Sequence, residues 1–285
     1  MNHLHNISLL YVSCYTFKSL WEPFFKLKNK YIGNTVQTYL CTDVMLDNNN
    51  INFEDPIFNN TKILNFNQKS IFTLNGNLFD RYLYYLEQIE SEYILYFYDD
   101  MFPIESVDMN KLNNLLDIMK NNKLIKIIKL SLESHPFYNG SMVYINDTVF
   151  TKAHNTFDHY IFNVQPILIR KDFFIEMVNY CKQNNKCTHQ NGGLEIHGTD
   201  YFKINKDYIC LRVINDVVKI PRDHGVVVSG IISEEMKQYF KEKEDIEIET
   251  YENNLIFELT KEEYDCVGDR LKIMYNEYNI APITK

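Results

Sequence analysis

The sequence predicts an α/β protein with a mostly parallel central sheet flanked by helices, and three observations lead there. Short apolar runs alternate with stretches of helical period through the first half of the 285 residues, and apolar runs become denser in the second half. The most pronounced run, YILYFY at 93–98, is apolar throughout instead of alternating, which suits a strand covered on both faces. The chain is also long enough for one large α/β domain.

Taken in order, residues 7–12 form an apolar run that reads as the first strand, and 18–31 carry Leu20, Phe24 and Leu27 at helical spacing. Residues 36–41 are strand-like, 46–60 are rich in Asn and Asp and read as loop, and 62–66 form another short strand. Along 77–90, Leu78, Tyr82, Leu83, Leu86 and Ile89 line one helical face, with Asn75 or Asn77 as its cap. The strand at 93–98 follows, then a helix over 107–121 that buries Leu112, Leu115, Leu116 and Met119. A strand is expected at 123–132, an irregular region with a short strand at 142–145 within 134–156, a strand at 163–169 and a helix at 171–182. Residues 183–193 are polar and contain glycine, so they read as loop. Strands are expected at 208–213, 217–220 and 226–232, then a helix from Ser233. Thr260-Lys-Glu-Glu263 is a capping box opening a last helix with Tyr264, Val267, Leu271, Met274 and Tyr278 in one stripe.

Neither an internal repeat nor a linker interrupts this order, so a single domain over 1–285 is expected. Hydrophobic residues make up 45% and charged residues 24%, an ordinary soluble composition. The net charge of −9, with no Lys/Arg cluster, argues against nucleic-acid binding, which rests on phosphate neutralisation. An anionic ligand must then be met locally, by a metal ion, helix N-termini or a few cations. The six cysteines are scattered without zinc spacing and suit free thiols in a reducing cytosol. No apolar run reaches the roughly 18 residues that span a bilayer. The opening MNHLHNISLLYVSCYTF reads as a strand and not as a signal peptide, so a cytoplasmic location is expected.

The run at 93–98 ends in two adjacent carboxylates, Asp99 and Asp100, followed by Met101, Phe102 and Pro103. Like charges side by side resist burial. Side chains alternate along a strand, so the two converge only if the chain turns there. In a turn they offer oxygens to a hard divalent cation, and they stand at the strand end where open α/β sheets bind ligands. A solvated loop that happens to hold two aspartates is the alternative.

An amphipathic helix followed by SEYILYFYDDMFP and a further helix resembles the metal-binding DXD region of GT-A-fold glycosyltransferases, which use nucleotide diphosphate sugars. The resemblance implies a GT-A-like, Rossmann-like fold, with Asp100 as ligand to Mn²⁺ or Mg²⁺ and Asp99 beside it, facing the metal or the donor's ribose. Tyr98 stands where strict DXD has its first aspartate. LLYVSCYTF resembles the first strand and base-holding loop, bringing in Ser13 and Cys14; YLCTD resembles the second strand, bringing in Thr42 and Asp43. Arg81 is implied as a diphosphate contact, with a surface arginine as the alternative. FNVQPILIRKDFF and GGLEIHGTDYF resemble an acceptor-side segment whose acidic residue is the catalytic base; Glu195 matches best and Asp200 second. Stabilisation of a helix dipole would explain either acid alone. A late histidine completes the metal site in that family, with His224 as the match and His197 as the alternative.

The resemblance thus implies a metal-dependent glycosyltransferase carrying a sugar to a glycan or other hydroxyl acceptor. Residues 1–132 would hold the nucleotide sugar, 133–232 the acceptor, and 233–285 form a helical extension. One base with no nucleophile behind the sugar favours inversion. A nucleotidylyltransferase is disfavoured by a first loop with no glycine and only Lys18. A non-catalytic saccharide- or partner-binding domain is the other alternative.

Overall fold

The structure is a computed structural model. It describes residues 6–13, 15–42, 52–66, 77–132, 136–158, 160–184, 191–221, 227–228, 231–232 and 234–248. In chain order the first half runs β1 (Ile7–Val12), α1 (Trp21–Tyr31), β2 (Gln37–Thr42), β3 (Thr61–Asn65), α2 (Asn77–Gln88) and β4 (Tyr93–Tyr98). It continues with α3 (Met109–Asn121), β5 (Ile125–Lys129), β6 (Ser141–Ile145), β7 (Thr148–Lys152), β8 (Ile167–Arg170) and α4 (Lys171–Asn184). Last come α5 (Asn191–Ile204), β9 (Ile209–Val213), β10 (Val227–Val228), β11 (Ile231–Ile232) and α6 (Glu234–Glu244).

Nine strands form one sheet in the order β3-β2-β1-β4-β8-β5-β9-β7-β6. Only β8 and β7 run against the others, since β8 pairs antiparallel with β4 and β5, and β7 with β9 and β6. The expected α/β class, a central sheet of mostly one direction flanked by helices, is therefore the class observed.

Alternation along the strands sends side chains to two cores. On one face, Leu9 and Tyr11 of β1 and Leu95 and Phe97 of β4 pack with Trp21, Phe24 and Phe25 of α1, Leu112 and Leu116 of α3 and Phe240 of α6. On the other, Leu10, Val12, Ile94 and Tyr96 meet Phe79 and Tyr82 of α2, Phe174 and Met177 of α4 and Leu194 and Phe202 of α5. Because β4 is covered on both faces, YILYFY has no polar alternation.

Four expectations change. Residues 18–20 belong to a 3₁₀ turn (Tyr15–Leu20) that precedes α1. Gly192 and Gly193 lie in the first turn of α5 and not in a loop. Val217, Val218 and Ile220 are buried but form no strand; the N–H groups of Val217 and Val218 both donate to the Leu130 carbonyl at 2.9 and 3.1 Å. A loop that satisfies its backbone this way needs no ladder. Asn163, Val164 and Gln165 precede β8 instead of belonging to it. The helix expected from residue 260 lies outside the described residues.

Candidate functional site

β1 lies between β2 and β4, parallel to both, with Val12 level with Cys41 on one side and Tyr98 on the other. Their carboxyl ends therefore meet on one edge of the sheet. The β1–β4 seam is also where strand order reverses, the position at which open α/β sheets bind ligands. Ser13, Thr42 and Asp99 stand there side by side.

The first two are held by the fold itself. Ser13 is buried, its N–H donates to the Cys41 carbonyl (2.9 Å) and its Oγ accepts from Trp21 Nε1 (2.9 Å). Thr42 is buried, and its carbonyl accepts from Tyr85 of α2 (2.6 Å) and from the Phe66 N–H (3.0 Å). Arg81, one turn before Tyr85 on α2, is also buried, and its charge favours the thiolate of Cys41, although burial pushes that thiol well up. The Arg81 charge thus acts near the end of β2.

Asp99 and Asp100 occupy the middle of a tight turn closed by the Met101 N–H on the Tyr98 carbonyl (2.9 Å). The turn is what keeps both carboxylates at the strand end. Tyr11 of β1 donates to the Asp99 carbonyl at 3.3 Å and ties the turn to the seam. Asp99 is 4% exposed. Asp100 is half-buried, and its Oδ1 is buried with no hydrogen-bond partner among the described residues. Burial raises the Asp100 carboxyl to about 7; a backbone hydrogen bond opposes the shift and the Glu195 charge adds to it.

Glu195, from the other half of the chain, is near enough for its charge to act on Asp100. It stands in the second turn of α5, half-buried, and accepts from the Val164 N–H at 3.0 Å. Burial raises its carboxyl, while the Val164 N–H and the Lys129 charge favour the ionised form. Asp200 is elsewhere: five residues on, it is turned about 140° round the helix. Its carboxylate, 39% exposed, pairs with Lys203 (3.4 Å) and His197 (3.7 Å) of α5 and acts on Tyr180 and Cys181 of α4. Asp99 and Asp100 share one turn and Glu195 is near enough for its charge to act on Asp100, whereas His197 and Asp200 form a separate pair. Cys14, Asp43 and His224 lie outside the described residues.

Among the described residues, no three His, Cys, Asp or Glu side chains form a metal cluster. A cation that keeps most of its ligands from water and substrate phosphates needs only one or two carboxylates. Asp99 and Asp100 fit that lesser demand, and the orphaned Asp100 Oδ1 is an oxygen still to be satisfied.

Three further residues here escaped sequence reasoning. Asn163 and Gln165 are buried beside Val164 and bonded to each other at 2.5 Å, and Lys129 is fully buried at the end of β5. The available signal was polarity within apolar context, in NVQP and IKIIK.

No protein-family model matches the chain, and no curated protein sequence does. Among solved structures, S. aureus TarS 1–349 in complex with UDP-GlcNAc superposes with a TM-score of 0.43 at 10% identity, covering 77% of this chain and 60% of that one. S. aureus TarS 1–349 gives a TM-score of 0.40 at 11% identity over 73% of this chain and 58% of that one. CMP:2-keto-3-deoxy-manno-octonic acid synthetase complexed with CTP gives a TM-score of 0.41 at 10% identity over 77% and 93%. The chain spans less than two thirds of the TarS chain to which it is similar.

Proposed function

We propose that the chain is a metal-assisted glycosyltransferase that moves a sugar from a nucleotide diphosphate sugar to a hydroxyl acceptor, with inversion. The observation that carries this reading is the Asp99–Asp100 turn at the β1–β4 seam, where the charge of Glu195 acts on Asp100. A carboxylate whose proton affinity is raised by burial and by a second acidic group is costly in a folded protein unless a ligand completes it. Asp99 and Asp100 would hold Mn²⁺ or Mg²⁺, which neutralises charge on the departing diphosphate when bound. Arg81, whose charge acts near the end of β2, would face the same diphosphate, and Ser13 and Thr42 would line the nucleoside pocket with Cys14 and Asp43.

Glu195 would take the acceptor's hydroxyl proton while that oxygen bonds to the sugar's anomeric carbon and the bond to the diphosphate breaks. Burial lifts its carboxyl toward neutrality, where a general base is most effective, and the Val164 N–H fixes one of its oxygens. Asp200 is the weaker candidate, held by Lys203 and His197. We further assign the chain to the cytoplasm as a single domain, with His224 completing the ion's ligands. No helix among the described residues is long and apolar enough to cross a membrane.

Calorimetry of nucleoside diphosphates with Mn²⁺, together with nucleotide release from a panel of UDP-, GDP-, dTDP- and CMP-sugars, tests this. Asp100→Ala should abolish Mn²⁺-dependent binding. Glu195→Gln should spare binding but lower transfer by about 10²-fold or more, and Asp200→Asn should leave transfer intact. Equal affinity of wild type and Asp100→Ala overturns the metal site. Binding without transfer in the wild type would favour a saccharide-binding domain.

A further inference from the structure

Lys129 is the last residue of β5 and its side chain enters the core shared by α2, α4 and α5. It is fully buried, and burial drives its ammonium down to about 8. A buried charge is kept only where specific partners compensate it. Lys129 Nζ donates to the Tyr160 carbonyl at 2.7 Å and lies 4.6 Å from the Phe137 ring centre. The charged and titratable groups acting on it are Cys210, Arg212, Glu195 and Asp158. Asp158 is engaged by the loop, its two oxygens accepting from the Asn139 N–H (2.7 Å) and the His154 N–H (2.6 Å). Glu195 is the carboxylate of the four whose charge also acts on Asp100.

The link between the two is also made by backbone. Four residues beyond Tyr160, the Val164 N–H donates to Glu195 Oε1 at 3.0 Å. Between them the Phe162 N–H donates to Thr199 Oγ1 at 3.2 Å, one helical turn after Glu195. The segment 160–164 thus lies between the Lys129 ammonium and the face of α5 that bears Glu195. The geometry points to Lys129 as a positioning residue for Glu195: its buried charge pins this segment and holds the ionised carboxylate aimed at the β1–β4 seam. This rests on the reading of Glu195 as the base.

The test uses Lys129→Met, which keeps bulk but loses charge and hydrogen bond, and Lys129→Gln, which keeps a donor for Tyr160 but loses the charge. UDP binding with Mn²⁺ should stay within about twofold of wild type. Nucleotide release from the sugar panel should fall about 10- to 100-fold, as when a group supporting a reacting residue is removed. Adding Glu195→Gln to either variant should cause little further loss. Independently of turnover, thermal unfolding of the Lys129→Met/Glu195→Gln cycle should be non-additive by at least about 2 °C, the double variant melting above the sum of the single effects. Additive melting, or undiminished release from both Lys129 variants, overturns the inference. Non-additive melting with a fully active Glu195→Gln would keep the contact but remove Glu195 as base, so the two failures are distinct. If both single Lys129 variants fail to fold, refolding in the Glu195→Gln background supports the link and its failure overturns it.

Discussion

Three ionisable side chains that burial perturbs have different surroundings. Asp100 is raised by burial and by Glu195, and Lys129 is lowered by burial while Cys210, Glu195 and Asp158 favour its charged form. Lys28 of α1 has only burial acting on it, which lowers it to about 8, and its ammonium donates to Asn29 Oδ1 at 3.2 Å. A lysine whose folded value is depressed binds fewer protons folded than unfolded between that value and about 10.4. Its cost is therefore complete below pH 8 and is relieved as pH rises toward 10.4. Lys28→Met should stabilise the protein by about 1–3 kcal/mol at pH 7, the gain shrinking at pH 10. Urea unfolding at the two pH values checks this; an equal gain at both would show that packing and not charge is responsible.

At the scale of elements, α5 positions Glu195, and its seat depends on Gly198. A Cβ there would lie 3.0 Å from Met177 Sδ of α4 and 3.0 Å from Cδ1 of buried Phe162. Gly→Ala in a helix ordinarily gains up to about 1 kcal/mol, whereas overpacking a core costs about 1–3 kcal/mol. Phe162 is fully buried, packed on Phe174 of α4 and tied by its N–H to Thr199 of α5, so the second effect should win. Gly198→Ala is expected to lower stability by about 1 kcal/mol net, read from the urea midpoint. A stabilised variant would mean that α5 has room to move, and Glu195 with it.

For the whole molecule, the two cores are not independent, because β1 and β4 supply alternate residues to both. Shedding the helices of one face would strip the strands that the other face packs on. Trp21, the only tryptophan in the sequence, is buried in the core of α1, α3 and α6. Its fluorescence therefore reports one face, while far-ultraviolet circular dichroism reports helices on both. The expected single domain predicts that the two signals change together in urea. Separated transitions would mean that the halves fold as distinct units.

The local patterns were legible in the sequence. The run at 93–98 reads as a doubly covered strand and is β4; 77–90 reads as a helix with one apolar stripe and is α2. The pairing of Asp99 with Asp100 after that strand singled out the seam, because strand length and turn position are set within a few residues. Cys14, Asp43 and His224 lie outside the described residues. Other features depended on the chain's long-range packing. Glu195 and Asp200 are equally acidic and five residues apart, and only the azimuth at which α5 packs against α4 and Phe162 turns one to Asp100 and the other to Lys203. Lys129 is one of several lysines in and around the strand expected at 123–132 until β8 and β9 flank β5 and the segment at 160–164 closes over it. Periodicity is written in neighbouring residues, but burial of a charge and the meeting of distant carboxylates are properties of sheet order and helix rotation.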